Sequence, residues 1–274
     1  MIEPQMEANL TNPNFNRNHL ERTLFIATKK LNSFFRLNLQ EPKLQFGKIN
    51  HGNRAVSSIP GRDISDTVEL DPLIYEKTSG HATEIGIHEL GHIFSQNYFS
   101  HPRRIHLFFE EGIADFLSVD DPSGIFKDLN INKPTDSYAR IQQEIKDDPE
   151  LGKQLIEFMS LDKIFTTRQK YKEIGDRLKE KQINNSSILP YWIGSSLTRY
   201  IVEKGGLKSL KNIVDKVKVH QKIKDSTGGL SDEIIKAEEI RTRSLLFNAI
   251  QDEFGDVIVF EQEWRETTLG KQTH

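Results

Sequence analysis

The sequence predicts an α+β fold: a small mixed N-terminal lobe with a short sheet, followed by an all-helical C-terminal lobe. Three observations predict it. Residues 43–49 and 66–71 alternate apolar and polar positions as strands do. From Tyr138 onward apolar residues recur at helical spacing, with breaks at Pro149, Pro190, Gly205-Gly206 and Gly228-Gly229. Hydrophobic residues make up 36 % of the 274 residues, including 16 Phe, which is enough apolar material for a core.

Taken in order, residues 1–18 are rich in Asn, Pro and Glu and read as a flexible arm. The N-terminal lobe covers 19–100. His19–Leu37 places apolar residues at Leu20, Leu24, Phe25, Ala27, Leu31, Phe34 and Phe35, spaced three or four apart, as an amphipathic helix does. A strand over 43–49 follows, then turns around a short strand at 55–59. The alternation over Asp66–Asp71 stops at Pro72 and predicts a further strand, which we expect at the sheet edge. A helix starts at Ser79 or Gly80 and runs to Tyr98. The helical lobe covers 101–274. It opens with a helix over His106–Leu117 and a loop or small insertion over 119–137. Helices are expected at 138–146, 150–159, 167–182, 190–204, 207–220 and 232–254.

Composition excludes several function classes. The formal net charge is −3, from 37 basic and 40 acidic residues, so no nucleic-acid or membrane-surface partner is expected. The chain has no cysteine, which rules out disulfides and thiolate metal sites. Any zinc site must use His and carboxylates. Met1–Phe15 is polar, and no apolar run reaches the roughly 18–20 residues of a membrane span. The expectation is a cytoplasmic protein by default, with secretion without a leader, or a trimmed leader, as the alternatives.

Chemistry concentrates at His88-Glu89-Leu90-Gly91-His92. On a helix, residues four apart share a face, so His88 and His92 can hold one Zn²⁺. Glu89 can reach a metal-bound water. Eighteen residues separate His92 from Glu111, on its own predicted helix. A carboxylate there can close a His₂Glu set and leave a fourth position for water. Asp115 lies one turn further on the same face and can accept the spare ring N–H of a ligand histidine. His81, His101 and His106 read as surface or loop positions, and Asp120-Asp121 as loop charge.

Together, His88-Glu89-Leu90-Gly91-His92 and Glu111-Gly112-Ile113-Ala114 resemble the gluzincin pattern of zinc metallopeptidases, shared by thermolysin-like enzymes and the aminopeptidase N family. Tyr191-Trp192-Ile193-Gly194 is similar to a Tyr-x-x-Gly helix of small bacterial peptidase-MA-like domains. Phe254-Gly255 to Trp264 resembles their closing segment. The specific part spans residues 88–115.

This resemblance implies a zincin-like fold with an active-site cleft between the two lobes and one Zn²⁺ per chain, held by His88, His92 and Glu111. Glu89 is then the general base, Asp115 orients a ligand histidine, and Tyr191 is the candidate oxyanion donor. The implied activity is peptide-bond hydrolysis, with a peptide or protein as substrate lying along the Asp66–Asp71 strand. The metzincin extension needs Gly at 95 and His at 98, where the chain has Ser95 and Tyr98. It also has no Gly-x-Met-Glu-Asn stretch, so the expectation is an endopeptidase. The residue before the third ligand is commonly Asn in the family. Here it is Glu110, which competes with Glu111; the Gly-x-Ala sequence and Asp115 favour Glu111. The alternatives are a catalytically silent zinc-bound module and a metal-free helical interaction protein.

Overall fold

Helix α1 (Arg17–Phe35) forms where the apolar stripe predicts it. Its buried residues are Leu20, Thr23, Leu24, Ala27, Thr28, Leu31 and Phe35, one face at 3–4 spacing. Fully burying each leucine contributes roughly 1.5–3 kcal/mol. The architecture comes from a computed structural model that describes residues 17–46, 55–57, 67–70, 79–99, 107–147, 149, 159–162, 176, 189–217 and 231–270. The arm up to residue 16 and the predicted helices over 150–159 and 167–182 lie outside these, apart from Met159 and Asp176. So do His101 and His106.

Three strands follow α1: β1 (Lys43–Phe46), β2 (Ala55–Ser57) and β3 (Thr67–Leu70). They form one sheet in the order β1-β3-β2, with β1 parallel and β2 antiparallel to β3. The register pairs Leu44 with Val68 and Val56 with Glu69. The strand predicted at the sheet edge is therefore the central one. Alternation in β3 buries Val68 and Leu70 and leaves Thr67 and Glu69 half-buried. It reports which face is covered, and carries no information about which neighbours pair. Among the described residues the edges belong to β1 and β2.

Helix α2 (Ser79–Tyr98) follows, then α3 (Leu107–Asp115), which runs on into a π-helical turn at Phe116–Asp120. Within the segment expected to be a loop or insertion lies a short helix, α4 (Ile125–Leu129). Asp121 explains it: its carboxylate accepts from the backbone N–H of Ile125 at 2.7 Å and of Phe126 at 3.2 Å. Asn130, left-handed at φ 56°, closes the helix. Burial raises the Asp121 pKa, against the lowering effect of those bonds.

The remaining helices are α5 (Ser137–Asp147), α6 (Leu189–Lys216), α7 (Asp232–Phe254) and α8 (Val257–Leu269). Gly206, at φ 74°, breaks α6 at the predicted Gly-Gly position. Helix α8 was not anticipated. Gly255 at φ 85° ends α7, and Asp256 caps α8 by accepting from Ile258 N–H at 2.8 Å and Val259 N–H at 3.2 Å.

The chain divides into two compact units, Met1–Tyr98 with Leu117–Pro134, and Phe99–Phe116 with Thr135–His274. The first contains α1, the sheet, α2 and α4. The second contains α3 and α5–α8. An α+β composition, mostly helical with one short sheet, is what the sequence predicted. No described helix is long and apolar enough to cross a membrane.

Candidate metal centre

Helix α2 is held by α1. Around Gly86 the Leu20 and Leu24 side chains pack at ordinary contact distance, 3.8 and 3.9 Å from where a Cβ would lie. His19 Nε2 lies 2.9 Å from Thr83 Oγ1, and Phe35 packs on Phe94 and Tyr98 with ring centroids 6.1 and 4.9 Å away. Ile87, Leu90 and Phe94 are fully buried. One side of α2 is thus locked, and the side bearing His88 and His92 is set by it.

Those two rings meet edge to face, with planes 87° apart. Their Nε2 atoms lie 3.2 Å apart. Two nitrogens bound to one tetrahedral zinc, each about 2.0–2.1 Å from it, are separated by roughly 3.3–3.4 Å. The pair therefore fits a shared cation without a rotamer change. His92 and Glu89 are buried, at 9 % and 8 % exposure, while His88 is half-buried.

On α3, Glu111 is half-buried, whereas Glu110 and Asp115 are buried. Helix α3 packs against α6 through two glycines. A Cβ on Gly112 would lie 2.6 Å from the carbonyl carbon of Gly194. Only glycine admits so close a crossing, and it places Glu111, the residue before Gly112, at the crossing point. Tyr191 sits one turn before Gly194, half-buried. Each of His88, His92 and Glu111 offers one ligand atom, and these atoms lie within 4.8 Å of one another. Among the described residues this is the group of three His, Asp or Glu side chains able to hold a metal ion. Glu110 is not in it.

The predicted closing segment is also explained. Trp264 on α8 is fully buried and donates Nε1–H to Ser196 Oγ of α6 at 3.1 Å. Its role is packing. Two features escaped the sequence reading. One is the Gly112–Gly194 contact, signalled only by a glycine in each helix. The other is the cavity that His81 and Glu84 line. The signal there was Glu84 four residues before His88, on the same face.

Comparison with protein-family models, curated proteins and solved structures finds no match to this chain.

Proposed function

We propose that the chain is a zinc-dependent endopeptidase of gluzincin type with a zincin-like fold. The observation that carries this reading is the His88–His92 pair, with Nε2 atoms 3.2 Å apart on one locked helix face and Glu89 buried beside them. Glu111 supplies the third ligand. Bound there, zinc provides a Lewis acid and lowers the pKa of its water to about 7. Glu89 takes the proton of the attacking water and returns it to the leaving amine. Asp115 holds a ligand histidine in one tautomer. Tyr191 donates to the oxyanion of the tetrahedral adduct. Strand β2 packs on α2 and is a sheet edge among the described residues. Its outer backbone groups suit an extended peptide better than β3, which is paired on both sides.

Purification without added metal, followed by elemental analysis, is expected to give one zinc per chain, lost in His88→Ala. Glu89→Gln keeps the zinc and cuts peptides about 10²–10⁴-fold more slowly. Unchanged cleavage in Glu89→Gln overturns the mechanism. Stoichiometric zinc with no cleavage by the parent protein and a full peptide library identifies a silent zinc module instead. Glu111→Gln should lose more zinc than Glu110→Gln; the reverse moves the third ligand to Glu110.

A further inference from the structure

Gln96 of α2 is 1 % exposed, and neither its amide oxygen nor its amide nitrogen has a hydrogen-bond partner among the described residues. Burying an amide in this way costs stability, and native side chains mostly avoid it. The residues on either side are answered. Ser95 Oγ donates to the His92 carbonyl at 3.0 Å, and Asn97 Nδ2 to the Ile93 carbonyl at 2.8 Å. Gln96 is thus a polar group held in the interior without a local structural use.

Its place on the helix says what it serves. His88, His92 and Gln96 are i, i+4 and i+8, a row along one side of α2. Helical side chains lean toward the N-terminus, so the Gln96 amide leans over the turn that carries His92. A cation shared by the two Nε2 atoms, 3.2 Å apart, takes a lone pair from each. The proton of each ring is then on Nδ1, and that N–H calls for an acceptor. His92 Nδ1 is buried, so bulk water does not serve it. Two ligand histidines call for two acceptors, and Asp115 can serve one of them.

We propose that Gln96 is a positioning residue of the metal site: its Oε1 accepts the Nδ1–H of His92 and holds that ring with Nε2 directed at the cation. This rests on the zinc site proposed above, and not on peptide cleavage. The side-chain torsions of Gln96 turn its amide to the ring while the backbone of α2 stays locked against α1. The bond fixes the tautomer of His92 and makes its Nε2 a better donor to the metal. It also gives the buried amide oxygen the partner that the fold alone does not supply.

The test uses the full-length chain and zinc alone, with affinity read by competition against a chromophoric chelator. Gln96→Met keeps nearly the same volume and removes the acceptor; it is expected to bind zinc roughly 10–100-fold more weakly. Gln96→Glu keeps an acceptor oxygen at the same reach and is expected to bind zinc as tightly as the parent, or more tightly. A packing role predicts the reverse order, because a buried carboxylate disturbs a core more than a methionine does. In the zinc-loaded, ¹⁵N-labelled protein, Gln96→Met is expected to shift the ring N–H signal of one ligand histidine and leave the other in place. Circular dichroism and a urea midpoint in chelator check that each variant is folded. If Gln96→Glu does not fold, Gln96→Met and the ring signals still decide. Equal zinc affinity in the parent and Gln96→Met, equal losses in both folded variants, or unmoved ring signals each overturn the inference and leave the zinc site and the peptidase reading standing. Weaker zinc binding and a shifted signal in Gln96→Met, with no cleavage by the parent, leave the inference standing while the peptidase reading falls. A parent that binds no zinc overturns both.

Discussion

Helices α2 and α6 both carry predicted catalytic side chains, and they treat charge in opposite ways. Helix α2 has three His, two Glu and no Lys or Arg in 20 residues. Helix α6 has one Arg and four Lys against two acids in 28 residues. Most of its cations are matched close by. Arg199 pairs with Glu203 at 2.7 Å and Asp136 at 3.1 Å, Lys216 with Asp252 at 2.8 Å, and Lys204 with Glu263. Exposed pairs of this kind contribute roughly 0–1 kcal/mol each, so they are replaceable. Helix α2 instead buries Glu89 and His92, and no cation comes from the helix itself. Burying a carboxylate is costly unless a positive charge answers it. On α2 two ionisable side chains are buried on a helix that carries no Lys or Arg of its own. On α6 the charged residues finish a surface, and the helix contributes chiefly through packing.

If α6 works by packing, its most sensitive contact is the glycine crossing with α3. Ordinarily Gly→Ala inside a helix gains up to about 1 kcal/mol. Here the added Cβ of Gly112→Ala meets the Gly194 backbone at 2.6 Å, so the helices must separate. We expect a net loss of about 3 kcal/mol, read as a shift in the urea midpoint. Gly194→Ala meets Phe108 O at 3.1 Å and should lose less. A gain in either variant would show that the crossing is loose and that α6 does not position Glu111.

A smaller effect separates the two helices by pH. Tyr200 of α6 donates its hydroxyl to Glu263 at 2.7 Å. Burial first, and then this hydrogen bond to a carboxylate, raise its pKa above the usual value of 10. The folded state therefore keeps a proton that the unfolded chain releases. The resulting stability is complete below about pH 10 and is lost as pH rises beyond it. Tyr200→Phe should cost about 1 kcal/mol at pH 7 and flatten that alkaline decline. Urea titrations from pH 8 to 11 decide it; an equal slope in both proteins removes Tyr200 from the account. Nothing comparable is expected from α2, whose removal variants act on metal and cleavage.

How far the sequence reached follows from the same physics. Periodicity located α1, α2, α5 and α7 to within a few residues, because each has a face that must be buried, and Pro102, Pro149 and Gly255 follow the last three. The candidate metal residues were legible because ligand chemistry needs fixed spacing: His88 and His92 are i and i+4 on whatever helix carries them. Strand order was not legible. Val68 and Leu70 look alike in an edge strand and a central one, since alternation reports faces and not neighbours. Helix α4 was hidden because it depends on one carboxylate, Asp121, reaching two backbone N–H groups. The cavity was hidden too. Asn130 and Asn132 lie some fifty residues from Glu84, and only folding brings them together.

A last effect, no larger than that of Tyr200→Phe, bears most directly on what α2 is for. Gln96 lies one turn after His92, is 1 % exposed, and neither its amide oxygen nor its nitrogen has a hydrogen-bond partner among the described residues. A helix selected for stability alone would place an apolar residue there. Gln96→Met keeps nearly the same volume and removes two unpaired polar atoms. It should therefore stabilise the chain by about 1 kcal/mol. The measurement belongs in chelator, so that metal binding does not contribute to the midpoint. A gain in stability accompanied by weaker zinc binding would tie Gln96 to the site, as a polar group kept at the expense of the fold. A gain with zinc binding unchanged would confine the functional face of α2 to the turns before Gln96. A loss of stability would mean that Gln96 is paired after all, and the contrast between α2 and α6 would then rest on Glu89 and His92 alone.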